Sequence, residues 1–403
     1  MSFKSEEKTD LLITDLNHRG DGVGRAGSLT YFVPGALPGE EVRVRTTLIR
    51  KNYAEAELLT ILEPSPHRIT SNCPYFPRCG GCRLQHLAYG EQLNWKERRV
   101  TETLRRLAGL SIQVEPVIGM SSPWQFRNKA RIHFDLEQDK LKAGFYAFGS
   151  RQVIDIEQCP VQHPINETLI NLICRALNNF VERHHISSMS DLPVNDASIR
   201  TSFLEDRAVV AFEANRGRTY INDLKELAAL LLSEAGNQLS GVVLLPGRRD
   251  KKGFTVLAGN AEMSESLSIF QYIISPRAFF QVNPVQTEKL YDIASGLTGK
   301  VSSAFDLYCG TGTFTLYLSS KADIVTGTDS TGEAIVNAVE NARINDTDNV
   351  SFLHRIAETA GELLEKAEKP CLVCLNPPRS GCSKKLLHTL ISAGYYVGLT
   401  AQV

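Results

Sequence analysis

Nine cysteines are spread through a chain of 403 residues, and three of them fall close together, as Cys73, Cys79 and Cys82. A C-x5-C-x2-C spacing, with Gly80 and Gly81 inside it, lets a short loop fold around a soft metal ion or an iron–sulfur cluster. A [4Fe–4S] cluster takes four thiolates. Cys159 ends a strand-like run, precedes Pro160, and is the best-placed fourth. Structural zinc is a second reading, although it favours paired C-x2-4-C knuckles and only one such pair is present. Unconnected thiols are a third.

Another set of residues suits a small-molecule cofactor. Residues 304–312, Ala-Phe-Asp-Leu-Tyr-Cys-Gly-Thr-Gly, read as an apolar strand entering a glycine turn, with a helix from near Thr313. Gly310 and Gly312 allow a ligand to approach the backbone closely. Asp329 ends the next strand and is placed to accept ribose hydroxyls. Nicotinamide-binding proteins share this turn, but the third glycine of their G-x-G-x-x-G is Thr315 here. Asn376-Pro377-Pro378-Arg379 follows the apolar run 371–375, and its prolines fix a rigid turn at a strand's carboxyl end. Upstream, residues 279–284 enter a helix with Asn283 as N-cap and Pro284 at its first position.

These residues must be positioned by several elements. Residues 10–63 alternate apolar and polar side chains between glycine-rich turns, which predicts a small five-stranded antiparallel β-barrel. Pro64-Ser65-Pro66 marks a boundary. A helix is expected over 87–107, with Leu93, Val100, Leu104 and Leu107 on one stripe and Gly109 as its stop. Residues 119–270 mix strands (130–136, 152–156, 207–214, 241–245) with amphipathic helices (165–183, 222–234). From Phe279 the order is strand–helix–strand–helix, the pattern of a doubly wound parallel sheet. The expected fold is therefore multidomain α/β: a barrel (1–63), a cysteine segment with its helix (64–118), a central α+β domain (119–270) and a Rossmann-like domain (271–403).

Composition excludes some classes. No apolar run approaches the roughly 20 residues of a membrane span, and the polar start lacks an apolar signal core, so a cytosolic location is expected. The net charge of −1 leaves nucleic-acid binding to local basic clusters. Three are present: Arg43, Arg45, Arg50 and Lys51; Arg127, Lys129 and Arg131; Arg248, Arg249, Lys251 and Lys252.

Two stretches carry a family resemblance. Residues 20–40, Gly-Asp-Gly-Val-Gly through Phe-Val-Pro-Gly-Ala-Leu-Pro-Gly-Glu, resemble a TRAM domain, an RNA-binding barrel. Cys73-Pro74 through Cys79-Gly80-Gly81-Cys82, Gln85-His86-Leu87 and residues 156–160 resemble the cluster segment of bacterial uracil-5 RNA methyltransferases. Phe126-Arg127-Asn128-Lys129, Gly144-Phe145-Tyr146 and the F-x-Q-x-N-x-x-Q stretch 279–286 are similar to further motifs of that family. The resemblance implies a [4Fe–4S] cluster on Cys73, Cys79, Cys82 and Cys159. It also implies S-adenosylmethionine (SAM) on Gln281, Tyr308, Asp329 and Asn376, and RNA as substrate, ribosomal ahead of transfer RNA.

The family forms 5-methyluridine by adding a cysteine thiolate to carbon-6 of uracil, methylating carbon-5, and removing its proton with a carboxylate base. The resemblance places that cysteine and a glutamate beyond Val403, so no catalytic residue is assigned, and residues 395–399 are expected to form the last strand before them. Cys371, Cys374 and Cys382 read as small core residues. Asn376 stands where the family has aspartate, and Asn-Pro-Pro is a form used by amino-group methyltransferases of nucleic acids. Three readings remain at this point: a uracil-5 RNA methyltransferase, an amino-methyltransferase, and a non-catalytic RNA-binding protein.

Overall fold

The computed structural model describes residues 8–215, 220–247 and 253–392. They form two compact units. The first contains the described chain up to Pro123 together with Phe145–Pro160; the second contains Trp124–Gly144 and the described chain from Val161 onward.

The first unit opens with a closed barrel of β1 (Lys8–Leu16), β2 (Gly22–Ala26), β3 (Leu29–Val33), β4 (Glu41–Ile49) and β5 (Tyr53–Glu63), in the order β1-β2-β3-β5-β4. Strict alternation along β4 buries Val42 and Val44 and exposes Glu41, Arg43 and Arg45, because successive strand residues face opposite sides. Leu11, Ile13, Val33 and Ala54 complete the core. At the barrel's exit the fully buried Glu40 accepts hydrogen bonds from the Leu37 N–H (2.8 Å), the Ser65 N–H (3.3 Å) and Arg68 Nε (2.5 Å). Burial alone would raise its pKa, but Arg68 and the backbone donors outweigh that and hold the carboxyl low. The helix α1 (Tyr89–Thr103) follows, extended by a wider turn over Leu104–Ala108 and stopped by Gly109 in the left-handed region. The expected apolar stripe exists, yet no residue of α1 is buried and Leu107 is 85% exposed.

In the second unit the central sheet runs in the order β12-β11-β10-β9-β6-β7. Its strands are β6 (Lys129–Glu137), β7 (Lys140–Tyr146), β9 (Val194–Ser202), β10 (Arg207–Ala214), β11 (Leu239–Leu245) and β12 (Thr255–Gly259). β10 and β11 are parallel and the other pairs antiparallel. The helix α2 (Pro164–His184) lies against β9 and β6, and α3 (Ile221–Ala235) against β11 and β12. Between β6 and β9 the chain leaves for the first unit, forms the short β8 (Val153–Asp155) there, and returns.

A hairpin of β13 (Met263–Leu267) and β14 (Phe270–Ile274) leads into α4 (Pro284–Gly296) and a four-stranded parallel sheet, β17-β16-β15-β18. Its strands are β15 (Val301–Asp306), β16 (Ala322–Asp329), β17 (Val350–His354) and β18 (Cys371–Cys374), connected by α5 (Thr313–Ser319), α6 (Gly332–Ile344) and α7 (Gly361–Glu365), with α8 (Lys384–Ser392) last. Ala304 and Cys374 join one core and Phe305, Val373 and Leu375 the other. Both faces are covered, as a parallel sheet requires. The fold class expected from sequence is thus observed. The basic cluster at 248–252 and the strand expected at 395–399 lie outside the described residues. Among those described, no helix is long and apolar enough to cross a membrane.

Candidate functional site

The cofactor-type residues gather at the carboxyl end of β15 and β16. β15 ends on Asp306, and the chain turns through Tyr308 and Cys309 to Gly310 and Gly312, both with positive φ (54° and 79°). The two glycines differ. A Cβ on Gly312 would come within 3.0 Å of the Phe352 ring, so glycine is needed there for packing as well as for φ. A Cβ on Gly310 would meet nothing within 4 Å, so the backbone there fronts open space. Asp329, at the tip of β16, faces this turn: one carboxylate oxygen accepts the Gly310 N–H (3.1 Å) and the other the Thr331 N–H (2.8 Å). Unused lone pairs remain for a ligand's hydroxyls, since an ionised carboxylate has about four acceptor positions.

Gln281 is nearly buried before α4, its backbone carbonyl accepting from Asn128 Nδ2 (3.1 Å). Asn128 also donates its N–H to the Val282 carbonyl (2.9 Å). The Gln281 side chain meets the hydroxyl of Tyr291 on α4, whose pKa burial pushes up to about 12. Asn283 caps α4 as expected, its side chain accepting the Gln286 N–H (3.1 Å) with Pro284 at the first position. Asn376 follows β18 and lines one small cavity with Asp306, Tyr291 and Phe314. Tyr308 packs into the second core of the sheet and is half-buried.

Cys73, Cys79, Cys82 and Cys159 all belong to the first unit, the first three half-buried and Cys159 buried. Two loops carry them, and hydrogen bonds tie the loops together. Gly80 N–H donates to the Tyr146 carbonyl (2.9 Å), Phe148 N–H to the Arg78 carbonyl (2.9 Å), and Glu157 N–H to the Tyr75 hydroxyl (2.9 Å). The Arg83 guanidinium, paired with Asp21 of the barrel, stacks 3.7 Å over the Phe148 ring. Burial, followed by the nearby Cys73, raises the Cys79 thiol pKa despite a Gly81 N–H aimed at its sulfur. Among the described residues no three His, Cys, Asp or Glu side chains already stand in metal-binding geometry.

The chain matches the TRAM domain family over residues 6–59 and the tRNA (Uracil-5-)-methyltransferase family over residues 88–370. It belongs to the latter family. Two curated relatives, both described as uncharacterized RNA methyltransferases, agree along nearly the whole chain. That of Clostridium tetani is 36% identical and covers 96% of this chain and 85% of its own. That of Clostridium acetobutylicum is 34% identical, with 97% and 86% covered. The crystal structure of Pyrococcus abyssi tRNA (uracil-54, C5)-methyltransferase with S-adenosyl-L-homocysteine superposes with a TM-score of 0.69 at 24% identity. It covers 96% of this chain and 87% of that one. This last likeness is one of fold.

In this chain several site neighbours escape sequence reading. Asp306 is fully buried under the Thr315 hydroxyl (2.9 Å), and burial raises its pKa to about 6. Asn341 of α6 donates to the Thr311 carbonyl (2.9 Å) and accepts the Ile273 N–H (2.7 Å), bracing the glycine turn. Asp306 shows in the sequence only as a polar residue inside an apolar run, and Asn341, between Glu340 and Ala342, carries no signal. The barrel's basic cluster is partly neutralised, with Arg43 on Asp10 (2.7 Å) and Arg45 on Glu57 (2.5 Å).

Proposed function

We propose that this protein is a SAM-dependent RNA methyltransferase forming 5-methyluridine, with ribosomal RNA ahead of transfer RNA as its substrate. The observation that carries the reading is the glycine turn. Gly310 fronts open space of the kind a cofactor backbone contact needs, and Asp329 stands beside it with acceptor positions to spare. Gln281, Tyr308, Asp329 and Asn376 would hold SAM, which supplies the methyl group when bound. Asp329 would take the ribose, and Gln281, fixed by Asn128 and Tyr291, would help orient the cofactor. The segments divide the work: residues 1–63 and 119–270 face RNA, and 271–403 bind SAM.

The four cysteines would hold a [4Fe–4S] cluster as a staple. Their thiolate chemistry suits iron–sulfur ligation, and the loops that bear them are already tied by three hydrogen bonds. Protein purified without oxygen should be brown with about four irons per chain. Cys159→Ser should lose the colour as fully as Cys79→Ser, whereas stoichiometric zinc would end the cluster assignment.

Calorimetry should detect one SAM site, weakened by about 1–3 kcal/mol in Asp329→Ala through loss of a charged hydrogen bond. NADH binding in place of SAM would remove the methyltransferase reading. In the source organism, deleting the gene should abolish 5-methyluridine at a position in ribosomal RNA. Loss from transfer RNA alone would move the substrate, and loss of an N-methylated purine would favour chemistry at Asn376 of the amino-methyltransferase kind.

A further inference from the structure

The central sheet holds a lysine–arginine pair that the cofactor site does not use, and burial together with Arg200, Arg131 and Arg127 lowers the Lys129 pKa to about 7, so that a bound anion would hold it charged. Lys129 on β6 and Arg200 on β9 are direct cross-strand partners. Directly opposed residues project from the same face, and like charges there repel. Arg200 is 95% buried by its 5% exposure, and although one terminal nitrogen donates to the Ala278 carbonyl (2.6 Å), Nε and the other terminal nitrogen are buried without a partner. A buried donor left without a partner loses its hydration with nothing in return, so two on one guanidinium call for an acceptor.

The surroundings supply little negative charge. Arg131, next on the same strand face, is already engaged by Asp196 (2.8 Å) and Glu213. Arg127 spends its Nε on the Lys129 carbonyl (3.1 Å). Among the described residues Glu265 is the one carboxylate that acts on Arg200, and its oxygens are taken up by the N–H groups of Phe203, Leu204 and Ser266. Lys129 has no ion-pair partner among the described residues. Both side chains line a narrow cleft whose other walls are Ser198, Ser275 and mostly apolar residues such as Val209, Met263 and Ile274, with room for little more than one water-sized group.

We propose that Lys129 and Arg200 form a binding site for one phosphate oxyanion, a single oxygen of which enters the cleft, and that the RNA backbone supplies it. The RNA source rests on the function proposed above; the oxyanion chemistry does not. Two cations around a single-oxygen cleft suit a non-bridging phosphate oxygen, with Ser198 and Ser275 as further donors. The location also fits. Arg200 holds Ala278, three residues before Gln281, and Asn128, adjacent to Lys129, holds Gln281 and Val282. A phosphate held here would lie on the same framework that fixes the cofactor segment, and would register a nucleotide against it.

The test uses the full chain, with Lys129→Met to remove the charge at similar length and Lys129→Arg to retain it. In thermal unfolding, sodium phosphate should stabilise the wild type and Lys129→Arg above sodium chloride of equal ionic strength and pH. Lys129→Met should lose that increment while its melting temperature in chloride is equal to or above wild type. Binding of a fluorescein-labelled RNA hairpin should show a log K against log[salt] slope smaller by about one in Lys129→Met and unchanged in Lys129→Arg. A slope change without a phosphate increment overturns the oxyanion cleft and leaves Lys129 as a general RNA contact. A phosphate increment without a slope change supports the oxyanion site and overturns the RNA source. If neither changes, the cleft holds water and the proposal fails. If the wild type binds no RNA, the proposed function fails, while the phosphate arm still decides the site.

Discussion

Asp306 carries a charge problem that its neighbours only partly relieve. Burial raises its pKa from 3.8 to about 6, against the opposing hydrogen bonds from the Thr315 hydroxyl and the Tyr308 N–H. The folded state therefore holds this proton more tightly than the unfolded chain does. Its stabilising contribution is complete below about pH 4 and is lost as pH rises through 6. Asp306→Asn, a mimic of the protonated form, should flatten the pH dependence of stability between pH 4 and 6. Urea midpoints at pH 4, 5, 6 and 7 would show this, and an unchanged profile would count against a buried carboxyl. Sequence could single out Asp329 because acids at strand ends in a glycine-turn sheet have a known geometry. It could not single out Asp306, since its burial is imposed by Thr315 and by helices that close over the strand. Asn128 was visible within a motif, but its hold on Gln281 spans 153 positions.

At the scale of elements, local chemistry was the most legible. The N-cap Asn283 and Pro284 start α4 as their side chains dictate. Asn283→Ala should cost about 1 kcal/mol by loss of the cap, and because the cap follows Gln281 by two residues, it should also weaken SAM binding. Chemical denaturation and calorimetry on one variant measure both, and a loss of stability with unaltered SAM affinity would separate the cap from the site. The α1 stripe shows the limit of such reading. Leu93, Val100, Leu104 and Leu107 have helical spacing, but periodicity defines a face and says nothing of what covers it; Leu107 stays exposed. Gly241 in β11 was likewise unremarkable in sequence. A Cβ there would lie 1.9 Å from the Asn260 carbonyl oxygen, a backbone atom that cannot step aside. Gly241→Ala should cost more than about 2 kcal/mol through overpacking, read as a lower urea midpoint, while an alanine tolerated without loss would mean that β12 shifts freely.

Across the whole molecule, the barrel and the doubly wound sheet were readable because each is built from contiguous sequence. The two-unit arrangement was not, since it depends on residues 145–160 leaving the central sheet to join the first unit. Glu40 is the knot at the other side of that unit, joining the barrel to Ser65 and Arg68. Glu40→Ala would leave Arg68 without its carboxylate and two backbone donors unpaired, a loss of about 3–5 kcal/mol for a broken buried pair. Urea unfolding followed by a probe in the barrel should detect it, and a change below about 1 kcal/mol would show that water replaces the carboxylate. The discontinuity also sets a schedule for synthesis. The barrel is complete once Glu63 has been made, but the loop bearing Cys73, Cys79 and Cys82 finds its backbone partners only at Tyr146, Phe148 and Glu157. At roughly 5–20 residues per second, the 77 residues from Cys82 to Cys159 take about 4–15 s to translate. For the cluster proposed above, three thiols would be out on the nascent chain ahead of the fourth throughout that interval, a window in which oxidants and stray metals would compete for them.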